Sequence, residues 1–160
     1  MIRDIRDIVK DFKISKHFRF YEFLTPRSQA FPVQEGQVII RTMGEHQLCI
    51  SIEECIRMAS FWAGVLEMIR SHFGNNAIVI TSALRTWIHL IKIYEDINRA
   101  RALQGKPPLL VPEKSFHLFF GAIDFKVLNI PARDVQYHLE KAWFGRVLKY
   151  GTFTHIDLGG

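Results

Sequence analysis

Apolar residues recur at helical or strand-like intervals along most of the chain, and these intervals predict the order of its elements. The clearest helix is "SIEECIRMASFWAGVLEMIRSHFG", in which Ser51 is a suitable N-cap, Glu54 completes a capping box and Gly74 ends the helix. Two further helices are predicted in "WIHLIKIYEDINRARALQG" and in "IPARDVQYHLEKAWF", where Pro131 occupies the first turn. A short amphipathic helix is predicted over residues 2–12.

Between these helices the pattern favours short strands. A hairpin is predicted around "QVIIRT", a buried strand in "AIVIT", another in "FGAIDFKVL", and two short strands around Gly151. This order indicates an α+β fold, with helices packed on one face of a small, mostly antiparallel sheet. The 160 residues fit a single domain over 1–160, in which 1–16 form an N-terminal helical extension. Three phenylalanines are available to anchor the segment that follows: Phe18, Phe20 and Phe23.

Composition narrows the class of protein. Apolar residues make up 48% of the chain and charged residues 23%, so the chain is globular rather than disordered. Cys49 and Cys55 form no CxxC pair, which excludes a cysteine-ligated zinc site. The net charge of +5 favours anionic partners, but no arginine-rich stripe or zinc-finger spacing accompanies it, and we expect no nucleic-acid partner.

The N-terminal stretch "MIRDIRDIVKDF" has neither an uninterrupted apolar region nor a small-residue cleavage site, so it is not a secretory signal peptide. No run of eighteen apolar residues predicts a membrane span. We therefore expect a protein made in the cytoplasm with no membrane partner, which would need another agent to export or release it if it acts outside the cell.

Two histidines stand close in sequence to carboxylates. His117 is followed by Asp124, and His155 lies two residues before Asp157 in a strand-like segment, so those two side chains face the same side. Two imidazoles and a carboxylate can form a three-ligand site with an open fourth position, as in catalytic zinc. The spacing alone leaves a structural role open, and it favours a structural role for the other five histidines: His17, His46, His72, His89 and His138.

Four segments, in order, resemble the M15 family of zinc D-alanyl-D-alanine carboxypeptidases and related peptidoglycan peptidases. "HFRFYEF" resembles the H-F-x-x-x-E-F segment of the family, and "TSALRT" resembles T-S-G-[YF]-R-[ST]. "SFHLFFGAID" resembles S-x-H-x-x-G-x-A-x-D, and "FTHIDLG" resembles the closing F-x-H-x-D-x-G. The resemblance extends from about residue 17 to the end of the chain and implies a hedgehog/D-Ala-D-Ala-peptidase-like fold.

The resemblance implies Zn²⁺ as cofactor, with His117, Asp124 and His155 as ligands. It implies that Arg85 binds a substrate carboxylate or the developing oxyanion, and that Ser115 lies in the substrate cleft. The implied activity is hydrolysis of a peptide bond in peptidoglycan stem peptides by a monomeric carboxypeptidase or endopeptidase. Lack of a signal peptide would suit a phage or prophage lysis enzyme, or a virion-associated wall peptidase.

Three positions depart from the family pattern. Phe120 replaces a glycine between the two ligands of the third motif, and Ala83 replaces a glycine in the second. Thr152 stands where many members carry a catalytic Glu or Asp, and it cannot accept a proton from water. Asp157 is then a candidate catalytic base, or it orients His155 as a partner of the ligand. These departures keep open an alternative, a non-catalytic module that binds wall peptides on the same fold.

Overall fold

A computed structural model of the chain, which describes residues 2–160, contains four α-helices. They are α1 (Ile5–Ile8), α2 (Ile52–His72), α3 (Trp87–Leu103) and α4 (Ala132–Ala142). The three long helices are those that the sequence predicts. The Ser51 hydroxyl accepts a hydrogen bond from the Glu54 amide at the start of α2, as the predicted N-cap requires, and Pro131 is the N-cap of α4.

Eight strands form two antiparallel sheets, which confirms the α+β class. The first sheet has the order β1-β2-β3-β4 and consists of β1 (Arg3–Asp4), β2 (Pro32–Gln34), β3 (Gln37–Met43) and β4 (His46–Ser51). The second has the order β5-β6-β8-β7 and consists of β5 (Ile78–Ser82), β6 (Ala122–Val127), β7 (Arg146–Lys149) and β8 (Thr154–Asp157).

The strands therefore divide between two sheets where the sequence predicted one. The predicted hairpin is β3–β4, and it pairs with the N-terminal strands rather than with the later ones. Helix α2 follows this hairpin and is roughly 31 Å long at 1.5 Å per residue. It therefore separates the end of β4 from the start of β5. Buried residues of both sheets nevertheless belong to one hydrophobic cluster.

The predicted helix over residues 2–12 is wrong for most of its length. Within the described residues, only Ile5–Ile8 are α-helical in the 1–16 segment, and Arg3–Asp4 form a strand. The helix does not extend to Phe12. The Phe12 ring stacks on the Phe20 ring with the centroids 5.3 Å apart, and the Phe12 carbonyl accepts a hydrogen bond from the Phe20 amide. Tertiary packing outweighs a weak local helical preference here.

The three predicted anchors of the following segment, Phe18, Phe20 and Phe23, are all buried in the core. Trp62 of α2 is fully buried in the same hydrophobic cluster, and its indole Nε1 donates a hydrogen bond to the Phe120 carbonyl at 2.9 Å. This bond ties the central helix to the loop that carries His117. In the part of the chain that the structure describes, no helix is both long enough and apolar enough to cross a membrane.

Candidate metal centre

The three predicted ligands lie together on one face of the second sheet. His117 belongs to a 3₁₀ helix, Phe116–Phe119, whereas Asp124 lies in β6 and His155 in β8. Asp124 and His155 are directly paired across the two central strands, so their side chains emerge side by side. All three side chains are buried.

The donor atoms converge on one point. One ligand atom from each residue can be chosen so that all three lie within 4.8 Å of one another. His117 Nε2 is 3.4 Å from Asp124 Oδ1, and His155 Nδ1 is 2.7 Å from the same oxygen. Tetrahedral zinc with bonds of roughly 2.0–2.1 Å places its ligands about 3.3 Å apart, so small adjustments bring these atoms to that geometry. The His-Asp-His group could bind a metal ion.

Hydrogen bonds fix the orientation of both imidazoles. His117 Nδ1 donates to the Ala83 carbonyl at 2.6 Å, which leaves Nε2 free to act as a ligand. Burial lowers the pKa of His117, so its ring stays neutral, as metal binding requires. His155 Nε2 is bonded to Asp157 Oδ2 at 2.8 Å, which turns Nδ1 towards Asp124. Each ring thus presents one nitrogen to the same point.

Asp124 divides its two oxygens between different partners. Oδ1 faces the two histidines, and Oδ2 accepts from Arg85 Nη2 at 3.0 Å. Burial alone would raise the pKa of Asp124, but the polar contacts of its carboxylate with His117 and His155 and the charge of Arg85 hold that pKa well below its usual range. The carboxylate is therefore ionised, with one oxygen directed at the candidate site.

Arg85 is also held by contacts other than the one with Asp124. Its Nε donates to the Ser82 hydroxyl at 2.7 Å, and its backbone amide donates to the His117 carbonyl at 3.0 Å. Burial lowers the pKa of Arg85, an effect that the charge of Asp124 opposes. The guanidinium therefore lies beside the candidate metal centre and contacts one of its candidate ligands directly.

Asp157 is fully buried and its oxygens are already engaged. Oδ2 is bonded to His155 and also accepts from Arg146 Nε at 2.9 Å and Nη2 at 2.6 Å, while Oδ1 accepts from the Gly159 amide. Burial would raise the pKa of Asp157, but the bonds from Arg146 and His155 outweigh it and lower the pKa. A carboxylate held in this way is suited to orient His155. It is poorly suited to take a proton from water.

The candidate centre opens into a cleft with a volume of about 710 Å³. Arg85, Ser115, His117, Asp124 and His155 all line it, so the predicted substrate-binding residues and ligands share one cavity. Thr152 does not line it and belongs instead to a separate cavity of about 330 Å³. Asp157 does not line the cleft and is bonded to His155, which does.

Phe120 does not narrow this cleft. Its ring is fully buried in the core, 6.4 Å from the ring of Phe23, and is not part of the lining of the cleft. The backbone of Phe120 has a φ of 57°, the left-handed conformation that glycine adopts without strain. The turn between His117 and Asp124 therefore keeps a glycine-like backbone, while the side chain contributes to the core.

Five polar residues that line the cleft were not singled out from the sequence: Tyr94, Glu113, Lys114, Arg146 and Tyr150. Arg146 pairs with Asp157 across β7 and β8, so the pairing of these two strands was the feature that could have indicated Arg146. Neither strand is long enough to fix that register from the sequence. Tyr94 lies on α3, which follows the second motif directly, but it is outside all four motifs.

Comparison of the chain with family models, curated proteins and solved structures found no match in any of the three. The geometry of the site and the sequence motifs therefore carry the functional argument.

Proposed function

We propose that this chain is a zinc-dependent peptidase that hydrolyses a peptide bond in bacterial peptidoglycan stem peptides. The single observation that carries the proposal is the convergence of His117, Asp124 and His155 at the floor of an open cleft, with Arg85 beside them. The four family-like motifs supply the substrate class.

Zinc is the ion that suits this set of donors best. Two imidazole nitrogens and one carboxylate oxygen are borderline ligands typical of zinc, whereas calcium and magnesium prefer sites made of oxygen alone. Three protein ligands leave a fourth position open towards the cleft, as catalytic zinc requires. Zinc in such a site supplies Lewis-acid chemistry, in which a carbonyl is polarised and the pKa of water is lowered.

The other residues would bind and orient the substrate. Arg85 can hold a peptide carboxylate or a developing oxyanion through charge-assisted hydrogen bonds, because its Nη1 makes no hydrogen bond within residues 2–160. Ser115 would contact the peptide at the rim of the cleft. Asp157 would keep His155 in the tautomer and orientation that a ligand needs.

Proton transfer needs a carboxylate that is free to act. The lining of the cleft contains one carboxylate besides Asp124, and this is Glu113. Its side chain is largely exposed, and its nearest cation is Arg41 at 3.7 Å. We assign to Glu113 the role of proton acceptor that the resemblance would have given to residue 152.

The test is incubation of the zinc-loaded protein with purified muropeptides, followed by mass analysis of the products. We expect release of an amino acid or a shorter peptide by the native protein, and none by His117→Ala or His155→Ala, both of which should also lose bound zinc. His46→Ala, an exposed histidine of the other sheet, is the matched control and should retain zinc and products. Full zinc content in both ligand variants would overturn the assigned centre.

The non-catalytic alternative has a distinct signature in the same experiment. A wall-peptide-binding module would hold one zinc ion per chain and bind muropeptides, yet release nothing from them. That result would remove the peptidase proposal and leave the metal centre in place.

A further inference from the structure

Arg146 lies on the opposite side of the candidate centre from Arg85. It begins β7, where it is paired with Asp157 of β8, and its side chain is 50% exposed. Both of its hydrogen bonds go to Asp157 Oδ2, and its guanidinium lies over the Phe116 ring at 5.7 Å. Arg146 also lines the cleft, so one part of the guanidinium is anchored and another part faces the cavity.

The strand order separates the two arginines by the width of the sheet. Arg85 follows the end of β5 and Arg146 lies in β7, the two edge strands, while Asp124 and His155 lie on the central strands β6 and β8. Three strand spacings of about 4.8 Å place the two edges roughly 14 Å apart at the backbone. The candidate metal centre therefore lies between two guanidinium groups.

Both arginines leave the same edge of the guanidinium available. Each uses Nε and Nη2 to contact protein side chains, and neither Nη1 makes a hydrogen bond within residues 2–160. A guanidinium has five N–H donors, so the end that carries Nη1 can still bind a carboxylate through two parallel bonds. Arg85 and Arg146 thus have the same donor group available, although the side chain of Arg85 is 16% exposed and that of Arg146 is 50% exposed.

The remaining charges of the cleft agree with an anionic ligand. Its basic residues are Arg85, Lys114 and Arg146, and its acidic residues are Asp124 and Glu113. Arg85 and Arg146 are paired with Asp124 and Asp157, and the charges of Lys114 and Glu113 oppose each other, so the two charges of bound Zn²⁺ would make the cleft positive towards a ligand. Aromatic walls beside Arg146, formed by Phe116, Tyr150 and Phe153, would support the body of a peptide.

We propose that Arg146 forms a second carboxylate-binding subsite, and that the preferred substrates are peptides with two free carboxylates, one on each side of the metal centre. This inference rests on the proposed function for its substrate class. Arg146 is then a specificity-determining residue as well as the group that positions Asp157.

The probe is the synthetic tetrapeptide L-alanyl-γ-D-glutamyl-L-lysyl-D-alanine, together with two forms in which one of its two carboxylates is converted to a carboxamide. Zinc-loaded native protein, Arg146→Gln and Lys149→Gln are compared in kcat/KM and, independently, in binding by calorimetry. Lys149 lies on the same strand, is exposed and does not line the cleft, so it is the matched control.

We expect each carboxamide to weaken binding and kcat/KM of the native protein by about tenfold. Arg146→Gln should lose the preference for one carboxylate and keep the preference for the other, whereas Lys149→Gln should keep both. A purely structural role of Arg146 would reduce activity on all three peptides equally and leave both preferences unchanged.

The outcomes separate this inference from the proposed function. Cleavage of acid and amide peptides at equal rates by the native protein, or an Arg146→Gln variant that keeps both preferences, overturns the subsite and leaves the peptidase proposal standing. Binding that depends on Arg146 and on the carboxylate, without cleavage, supports the subsite and removes the peptidase proposal. A failure of the diacid peptide to bind native protein overturns the subsite.

Discussion

The Nε2 atom of His155 lies 2.8 Å from Oδ2 of Asp157, a carboxylate that is fully buried two residues further along the same strand. Because Nε2 is engaged in this way, Nδ1 is the nitrogen that faces Asp124. The pair has the form of a carboxylate–histidine unit, in which the carboxylate fixes the ring and raises the basicity of the ligand nitrogen. We therefore expect Asp157 to affect the affinity of the site for zinc.

We predict that Asp157→Asn weakens zinc binding by about 10- to 100-fold, because an amide orients and polarises the imidazole less strongly than a carboxylate. Competition with a chromogenic chelator would measure this. A base role makes the opposite prediction, namely unchanged zinc affinity with a large loss of kcat. Glu113→Gln is the matched comparison, since it should leave zinc affinity unchanged and reduce kcat.

Arg85→Gln should retain zinc to within about tenfold. The variant loses the bond to Asp124 Oδ2, which orients the ligand, but it also loses a cation that repels the metal ion, and the two effects oppose each other. Peptidase activity should fall by about 100-fold, the upper range for loss of a charge-assisted bond to a substrate carboxylate. Zinc content by atomic absorption and kcat/KM on muropeptides are measured on the same sample.

Arg133→Gln is the charge-matched control for this variant, because Arg133 is exposed on α4 and does not line the cleft. It should match the native protein in both measurements. Loss of zinc from Arg85→Gln to the same extent as from His117→Ala would show that Arg85 acts on the metal centre and not on the substrate.

The spacing of the residues and the family resemblance together pointed to His117, Asp124 and His155, which the structure brings together as a candidate metal centre. His117 and Asp124 are separated by one turn and the start of a strand, and His155 and Asp157 share strand parity. The long helices were also predictable, since α2 begins at a capping serine and each long helix has apolar residues at helical spacing. These features depend on neighbours within a few positions.

The parts that sequence reasoning missed depend on distant contacts. The N-terminal segment leaves its helix at Val9, and Phe12 packs instead on Phe20, a contact that no local pattern encodes. Arg146 is joined to the centre through the register of β7 on β8, and four-residue strands specify that register weakly. The division into two sheets likewise depends on the long helix α2, which separates β4 of the first sheet from β5 of the second.

Phe120→Gly tests whether the turn between the ligands needs glycine. Removing a buried aromatic ring lowers the free energy of unfolding by about 3–5 kcal/mol, whereas relief of a left-handed non-glycine backbone raises it by about 1–2 kcal/mol. The loss of packing is therefore the larger effect. We predict a net loss of about 1–4 kcal/mol in the free energy of unfolding, measured by urea denaturation. Zinc content at temperatures where the variant is folded should be unchanged, since the ring does not line the cleft.

Phe119→Gly is the control for this variant, because Phe119 is the preceding residue and its side chain is about half exposed. Its unfolding free energy should fall by less than that of Phe120→Gly. A Phe120→Gly protein that is more stable than the native chain would show that backbone strain, not core packing, dominates at this position.

Asp4 is expected to make the N-terminal segment sensitive to acid. Its carboxylate accepts from the amides of Arg6 and Phe31 and from the Arg6 guanidinium, and these bonds overcome burial to lower its pKa from 3.8 to about 2. A lowered folded-state pKa stabilises the protein above the unfolded value of 3.8, and the contribution is lost as pH falls towards 2. Asp4→Asn should cost about 1–2 kcal/mol near neutral pH.

The pH dependence identifies the cause of that loss. Unfolding free energies measured between pH 2 and pH 5 should decline less steeply for Asp4→Asn than for the native chain, because the variant has no carboxylate to protonate at this position. Asp7→Asn is the control, since Asp7 is exposed in the same short helix and its carboxylate accepts no hydrogen bond within residues 2–160. If Asp4→Asn and Asp7→Asn give the same slope, the bonds of Asp4 do not stabilise the folded state.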